Sequence, residues 1–266
     1  MIVAGIDPSN KHTGIAFATP HPDLERRIVL AESVTMLTGD DGVIRSVVER
    51  IYPTLDLAPA RTPIWIEEAP PTARGDVDHG PQGAIGFAQG WLGGLIAGRY
   101  VGQGWPVHRV GPSPWRAHML VEAARAGFLM QEPHRGRAAP PDGPAQRWKV
   151  EPGPDRSFVK VWAQCDHRDT FANYQALSEG LATRCPTCAA GVAVPRGMSE
   201  ADAIRDAWKQ TACLFVARFY PDRWASLVIK ARERAKMKQL DHHLAGVADA
   251  CEAVGIALYG LAQRTP

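Results

Sequence analysis

Short apolar runs bounded by turn-forming residues alternate along this chain with longer segments of helical spacing. The short runs predict β-strands, and the longer segments predict α-helices. The predicted strands are residues 2–7, 14–18, 26–36, 62–70 and 105–112. The predicted helices are residues 40–55, 80–100, 113–127, 198–220 and 240–262.

The order of these elements predicts the architecture. Three strands come first, helices and strands then alternate, and two helices end the chain. This order is typical of an α/β protein whose mixed β-sheet carries helices on its faces. The pattern stops near residue 131, where a stretch rich in proline, glycine and arginine begins. We therefore predict a domain made of residues 1–130 and 199–266, interrupted by an insertion at residues 131–198.

Composition and charge narrow the possible functions. Hydrophobic residues make up 45% and charged residues 22% of the 266 positions, which is typical of a globular protein. The formal net charge is only +2, so affinity for nucleic acid would have to come from local clusters of basic residues. The apolar runs are shorter than the roughly 20 residues of a membrane-spanning helix. No targeting segment precedes the first strand, so we expect a cytoplasmic protein without a membrane partner.

Acidic residues occupy the ends of two predicted strands and one face of the last predicted helix. Asp7 ends the first strand, and Glu67 and Glu68 end the fourth. Asp249 and Glu252 share a helical face within a segment that is otherwise almost wholly apolar. Convergent carboxylates cannot all stay charged in a partly buried site without cations, and oxygen-only ligands suit Mg²⁺ or Mn²⁺. The pattern therefore predicts a pocket that holds two such ions.

Three stretches resemble the motifs of RuvC-type Holliday junction resolvases. The stretch "GIDPSNKHTGIA" is similar to their first-strand motif, "WIEEAP" to their second motif, and "DACEAVGIALYG" to their C-terminal helix. Two further stretches, "GWPVHRVGPSPWRAHML" and "DAWKQTACLFVARFY", resemble intervening segments, and the second is typical of phage-like members. The resemblance covers residues 1–130 and 199–262.

The resemblance implies an RNase H-like fold and a crossover junction endodeoxyribonuclease. Such an enzyme hydrolyses phosphodiesters in four-way DNA junctions as a homodimer, in a bacterial or phage-infected host cell. The residues that would hold its two Mg²⁺ ions are Asp7, Glu67, Asp249 and Glu252. This sequence departs from the family pattern at Ser9, where glycine is common, and at Glu252, where aspartate is common.

Two alternatives for the ligand set remain open. Glu68 competes with Glu67 at the end of the fourth strand. In a second register of the last helix, Asp249 is the final acid and either Asp241 or His242 is the third ligand. We favour Glu67, which directly follows the apolar strand, and the first register, which fits the apolar end of the helix better.

Cysteines in the insertion predict a zinc site. Cys185 and Cys188 form a Cys-Pro-Thr-Cys knuckle, and Cys165 and His167 precede it. Such a set of cysteine and histidine ligands is typical of structural, tetrahedral Zn²⁺. Zinc would also explain how a proline- and glycine-rich module with little core becomes ordered. The alternative is a loop of free thiols in which His167 is a surface residue.

A basic segment follows the insertion. Residues 205–238 contain nine Lys or Arg and three Asp or Glu. Most charge runs are solvated helix faces, but beside an acidic metal site this one predicts a rim that binds DNA phosphates. The residues that we expect on this basic rim are Lys209, Lys230, Arg232, Arg234, Lys236 and Lys238.

Three other functions share part of this pattern. An actin-like ATPase also begins with Gly-Ile-Asp and a Thr-Gly turn, but it needs glycine-rich phosphate loops, and "GWLGGLIAG" is typical of a helix interior. A non-cleaving protein that binds branched DNA would keep the zinc module and the basic rim. A nuclease for flaps, replication forks or RNA–DNA hybrids would use the same residues. The favoured prediction is a metal-dependent, structure-selective DNA endonuclease.

Overall fold

The computed structural model divides the chain into two compact units. The first consists of Met1–Pro112 and Val216–Pro266, and the second of Ser113–Phe215. The sequence composition predicted that the insertion begins at residue 131 and ends at residue 198, and these limits stay a prediction. The structure describes residues 1–9, 11–23, 26–68, 81–125, 148–154, 157–162, 165–172, 176, 185–188, 209, 212–213, 215–238 and 245–263.

A five-stranded mixed sheet forms the first unit, with strand order β3–β2–β1–β4–β5. Strand β2 runs antiparallel to both β1 and β3, whereas β4 runs parallel to both β1 and β5. The predicted α/β architecture and all five predicted strands are confirmed. The strands are β1 (Val3–Asp7), β2 (His12–Ala18), β3 (Ile28–Thr35), β4 (Ile64–Glu67) and β5 (Val107–Val110).

Helices flank this sheet, and one of them differs from its prediction. The segment 40–55 is divided by a π-helical turn, Val47–Ile51. Pro53 lies in the first turn of α2, where it has no N–H to donate and its ring would clash with the carbonyl four residues earlier, so the regular α-helical pattern of the preceding segment is interrupted here. Among the described helices, none is both long and apolar enough to cross a membrane. The helices of the first unit include α1 (Asp40–Ser46), α2 (Tyr52–Leu55), α3 (Pro81–Gly102), α5 (Pro221–Lys238) and α6 (Ala245–Ala262). Helix α4 (Pro112–Arg125) belongs, after its first residue, to the second unit.

The two faces of the sheet carry different partners. Ile6 and Ile66 on one face are buried in a hydrophobic core with Ile51 and Ile96 from the helical segments. Side chains alternate along a strand, so the residues next to Ile6 on β1 and next to Ile66 on β4 point to the opposite face of the sheet. That opposite face is covered by α6, a helix that is apolar and buried over nearly its whole length.

Glycines allow α6 to lie almost directly on the strands. A Cβ built on Gly14 of β2 would overlap the carbonyl oxygen of Asp249, and one built on Gly5 of β1 would overlap the carbonyl oxygen of Ala253. Any larger residue at these two positions would push the helix away from the sheet. The close approach holds the acidic residues of α6 against the strand ends.

The second unit contains a small antiparallel sheet that the sequence analysis did not predict. Its strand order is β6–β7–β8. The strands are β6 (Trp148–Pro152), β7 (Phe158–Trp162) and β8 (Arg168–Phe171). The prediction failed because the buried face of β7 carries Lys160, so the strand lacks the usual alternation of apolar and polar residues.

Candidate metal centres

Three acidic side chains from β1 and α6 converge in the first unit. One carboxylate oxygen from each of Asp7, Asp249 and Glu252 lies within 4.8 Å of the other two. Asp7 and Asp249 are each 5% exposed, and Glu252 is 3% exposed. The sequence predicted that these residues would converge, and the fold brings their carboxylates together. We call this set the carboxylate group.

Strand pairing explains how Asp249 reaches Asp7. Asp7 pairs with Gly14 in the antiparallel β1–β2 ladder. Gly14 is also the residue on which the main chain of Asp249 lies. The start of α6 therefore meets the sheet beside Asp7, and Glu252 lies about one helical turn after Asp249 on the same face.

Glu67, the fourth predicted ligand, ends β4 next to Asp7. The parallel pairing of β1 with β4 ends at Ile6 and Ile66, so Asp7 and Glu67 occupy the next, adjacent positions. Both side chains point to the face that α6 covers, as does Trp65, whose ring packs against α6. Glu67 is half-buried. Its carboxylate is not among those whose oxygens lie within 4.8 Å of one another, so Glu67 is not part of the carboxylate group.

Glu68 has a different environment. Its carboxylate lies 3.9 Å from Nη1 of Arg109, and its side chain is 54% exposed. Its backbone N–H donates to the carbonyl of Val110 at 2.8 Å, which continues the β4–β5 pairing by one residue. Alternation along the strand directs Glu68 to the face opposite Glu67 and Asp7. These contacts favour Glu67 over Glu68 as a ligand.

The donor set of the carboxylate group fits a hard divalent cation. Carboxylate oxygens are the ligands that Mg²⁺ and Mn²⁺ prefer, and the group offers no nitrogen or sulfur donor. Three buried carboxylates at this separation repel one another, so cations or protons must offset their charge. The residues therefore fit the Mg²⁺ or Mn²⁺ that the sequence predicted.

A second candidate metal centre lies in the second unit. The sulfur of Cys165 is 3.5 Å from that of Cys185 and 3.4 Å from that of Cys188. Four-coordinate Zn²⁺ with Zn–S bonds of about 2.3 Å places its sulfurs about 3.8 Å apart, so the three thiols need only small shifts to bind it. We call these three residues the thiol group.

Backbone donors act on the sulfurs of the thiol group. Burial alone raises the pKa of Cys185, but the N–H groups of Cys188 and Thr187 donate to its sulfur and lower the pKa to about 7. The backbone of His167 donates to Cys165, but burial and the neighbouring thiols outweigh this bond and raise the pKa of Cys165 to about 11. Donors aimed at Cys185 favour the thiolate, which is the form that binds metals.

His167, the fourth predicted zinc ligand, is not in the thiol group. Its Nε2 lies 3.0 Å from Oδ1 of Asp169, and its Nδ1 lies 3.3 Å from Oγ1 of Thr187. Asp169 also accepts a hydrogen bond of 2.9 Å from Nε1 of Trp162. Burial would raise the pKa of Asp169, but the hydrogen bonds from Trp162 and His167 outweigh it and lower that pKa. His167 thus takes part in a hydrogen-bond network beside the sulfurs.

Lys160 is a fully buried cation in the same small sheet. It has 0% exposure, and its Nζ lies 3.9 Å from the centre of the Trp162 ring. Burial lowers the pKa of Lys160 to about 8, against the opposing effects of Asp169 and Cys185. Lys160 therefore stays mainly charged at neutral pH, which is unusual for a lysine without solvent access.

The structure describes only part of the predicted basic rim. Lys230 on α5 donates to Oε1 of Glu32 at 2.8 Å, so this lysine is already paired within the chain. Lys209 is half-buried and belongs to the second unit. The remaining members lie on α5, and their side chains are outside the described residues: Arg232, Arg234, Lys236 and Lys238. Asp241 and His242, the alternative ligands, are also outside the described residues.

Sequence reasoning missed two features of these centres. Gly14 was predicted as the first residue of the second strand, whereas it lies within β2 and its close contact with α6 was not foreseen. Lys160 was not singled out, because a lone lysine in a short apolar run carries no motif. The only signal in the sequence was its position between two valines in "FVKVW".

Several solved structures are distantly similar to this chain. No protein-family model and no curated protein matches it. RuvC of Thermus thermophilus in complex with a Holliday junction substrate is 22% identical over 47% of this chain and 73% of its own, with a TM-score of 0.33. Another Thermus thermophilus RuvC structure is 26% identical over 48% and 69%, with a TM-score of 0.30. The ROK hexokinase of the same organism is 12% identical over 99% of both chains, with a TM-score of 0.37. Similarities this low establish neither a family nor an activity for this chain.

Proposed function

We propose that this protein is a metal-dependent endonuclease that cuts branched DNA, with four-way junctions as its substrate. The observation that carries the proposal is the buried carboxylate group of Asp7, Asp249 and Glu252, whose oxygens lie within 4.8 Å of one another. Such a group requires divalent cations or protons to offset its charge. The mixed five-stranded sheet is compatible with the RNase H-like fold that the motif resemblance implies.

Four acids hold the cations in this proposal: Asp7, Glu67, Asp249 and Glu252. Two divalent cations bound there supply charge neutralisation and Lewis-acid activation for phosphodiester hydrolysis. The chain contributes rigid placement, because strand ends fix two of the acids and the contact of α6 with Gly14 fixes the others. Burial of the acids excludes bulk water and strengthens their attraction for the cations.

The substrate class follows from charge and from the motifs. The basic residues of α5 would bind phosphates beside the scissile bond, and the sequence also predicts a phosphate contact for Lys209. The resemblance to RuvC-type resolvases favours a four-way junction among branched DNAs, and it favours a phage-like protein. Resolution of a symmetric junction needs two cuts in opposing strands, so we infer a two-fold homodimer.

The thiol group supports a separate structural role. We propose that Cys165, Cys185 and Cys188 bind a Zn²⁺ ion that cross-links the small sheet of the second unit to the knuckle at residues 185–188. A small module so rich in proline and glycine gains stability from such a cross-link. This zinc would not take part in DNA hydrolysis.

Cleavage of a panel of synthetic DNAs tests the nuclease proposal. The panel contains four-way junctions, forks, flaps and RNA–DNA hybrids, each incubated with Mg²⁺ or Mn²⁺. We expect paired nicks in the junction, and only when metal is present. Asp7→Asn should abolish cleavage and preserve junction binding, because Asp7 holds cations and not DNA. Glu49→Gln, at an exposed carboxylate of the π-helical turn, should cleave like the wild type.

Each alternative gives a different result in this panel. Cleavage by Asp7→Asn at the wild-type rate would refute the assignment of the carboxylate group. Junction binding without cleavage in either metal would identify a non-cleaving DNA-binding protein. Preferential cutting of flaps, forks or hybrids would support a nuclease activity but would show that four-way junctions are not its preferred substrate. Saturable ATP binding without DNA cleavage would favour an actin-like ATPase.

A further inference from the structure

We propose that Lys160 is the buried charge partner of a three-thiolate zinc centre, and that His167 lies outside its ligand set. This inference rests on the zinc proposed above and changes the ligand set that the sequence predicted. Its three ligands are Cys165, Cys185 and Cys188. Lys160 would be a positioning residue that stabilises the metal-bound thiolates without binding the metal.

The position of Lys160 is the first observation. A fully buried ammonium group is rare unless anions accompany it. Lys160 lies on the middle strand of the small sheet, packs over the ring of Trp162, and is the ladder partner of Asp169 on β8. Asp169 contacts His167, and His167 contacts Thr187 of the knuckle. Lys160 thus belongs to a cluster of contacts that reaches the knuckle carrying Cys185 and Cys188.

The charge balance is the second observation. Three thiolates and one Zn²⁺ carry a net charge of −1, which a single ammonium group offsets. Asp169 also attracts Lys160, but its carboxylate is shared with Trp162 and with His167. Protonated thiols are neutral and cannot offset the charge of Lys160. Thiolates that bind a metal are anionic and can do so. Loss of an outer-shell partner typically lowers metal affinity about 10- to 100-fold, and we expect the same range for loss of this charge.

The hydrogen bonds of His167 are the third observation. A histidine that binds a metal through one ring nitrogen needs that nitrogen free of other partners. In His167, Nε2 lies 3.0 Å from Asp169 and Nδ1 lies 3.3 Å from Thr187. Thr187 stands inside the Cys185–Cys188 knuckle, so His167 links the knuckle to β8 while leaving the sulfurs to the metal. Among the described residues, the thiol group contains three donors, and the fourth position is left to water or to a donor elsewhere.

Zinc content and cobalt spectroscopy of the full-length protein test this inference. Co²⁺ in place of Zn²⁺ gives thiolate charge-transfer bands whose intensity counts the sulfur ligands. We expect one metal ion per chain with three thiolates. Lys160→Met should bind Zn²⁺ 10- to 100-fold more weakly in a chelator competition, with an unchanged Co²⁺ spectrum. Lys160→Arg, which keeps the charge, should recover most of the affinity.

Matched variants separate the roles of the individual residues. His167→Gln should keep the wild-type cobalt spectrum, whereas Cys185→Ser should lose charge-transfer intensity. Lys230→Met, which removes an exposed lysine of the first unit, should leave zinc affinity unchanged. If Lys160→Met does not fold, the comparison of Lys160→Gln with Lys160→Arg gives the same information.

Several results would overturn the inference. Equal zinc affinity of Lys160→Met and the wild type would remove Lys160 from the centre. A changed d–d spectrum in His167→Gln would make His167 a ligand. A wild-type chain that binds neither Zn²⁺ nor Co²⁺, or that forms a disulfide among the three cysteines under reducing conditions, would overturn both the centre and its charge partner. None of these outcomes bears on DNA cleavage, so the nuclease proposal is judged separately.

Discussion

Asp249 of α6 lies directly on Gly14 of β2, so closely that a side chain at Gly14 would overlap the Asp249 carbonyl oxygen. Gly14 is also the ladder partner of Asp7. One glycine therefore controls the separation of two carboxylates that are distant along the chain. The three acids can come together only because Gly14 has no side chain. A substitution at Gly14 therefore tests their arrangement while leaving the acids themselves unchanged.

Gly14→Ala should separate the acids and weaken the site. The added methyl group has no free space, so α6 must shift, and we expect a loss of about 1–3 kcal/mol in the free energy of unfolding. Because Asp249 moves away from Asp7, Mn²⁺ affinity and cleavage should fall even in the folded fraction. Urea denaturation and calorimetric titration with Mn²⁺ measure the two effects.

Gly98→Ala is the matched control for this substitution. Gly98 lies on α3 with no atom near the position of an added Cβ. Alanine there should stabilise the helix by about 0.5–1 kcal/mol and leave Mn²⁺ binding unchanged. Wild-type Mn²⁺ affinity in folded Gly14→Ala would show that the glycine does not set the geometry of the carboxylate group.

Glu67 and Glu68 should respond differently to the loss of their charge. Glu67→Gln should reduce cleavage by at least 100-fold, because Glu67 shares the α6 face with Asp7. Glu68→Gln should cleave nearly normally, because Glu68 lies near Arg109 and is largely solvated. Single-turnover cleavage at several Mg²⁺ concentrations distinguishes the variants. The reverse order of effects would transfer the ligand role to Glu68.

The carboxylate group could be predicted from sequence because of its physical cost. Asp7, Asp249 and Glu252 stand in apolar segments where an unpaired charge is unfavourable, so their presence pointed to a shared partner. Their separation depends on the glycine contact beneath α6, and no local pattern encodes a contact between β2 and a helix more than 200 residues later.

Two other parts of the fold were not predicted, each for a reason that lies in its local sequence. The π-helical turn before Pro53 was missed because helical spacing continues across it. The small sheet was missed because Lys160 occupies a buried position of β7. Both cases place a residue with an unfavourable propensity inside a regular element, where tertiary contacts outweigh local preference.

Tyr100 should make stability depend on alkaline pH. Its hydroxyl donates to Oδ1 of Asp56 at 2.9 Å, and burial together with this aspartate raises its pKa. The unfolded chain then loses the phenolic proton first, so the folded state binds more protons above pH of about 10, and stability falls there as pH rises. Tyr100→Phe should cost about 1.5–3 kcal/mol at neutral pH, as expected for a hydrogen bond to a charged group.

The difference in the free energy of unfolding between the wild type and Tyr100→Phe tests this pH dependence. It should be constant between pH 7 and 9 and should narrow above a pH of about 10, because only the wild type carries this titrating phenol. Urea denaturation across this range measures it. A difference that stays constant to pH of about 11 would mean that Tyr100 ionises alike in the folded and unfolded chains.

Glu32 should restrain DNA binding by α5. Its carboxylate accepts a hydrogen bond of 2.8 Å from Lys230, and both side chains are partly exposed. Glu32→Gln frees the charge of Lys230 for a phosphate, so junction affinity should rise and the slope of log Kd against log salt should steepen by up to about one unit. Stability should change by less than about 1 kcal/mol, since exposed ion pairs contribute little. Fluorescence anisotropy at several salt concentrations measures the slope, and the double variant with Lys230→Gln should cancel the gain. If the double variant binds as tightly as Glu32→Gln alone, Lys230 does not contact the DNA.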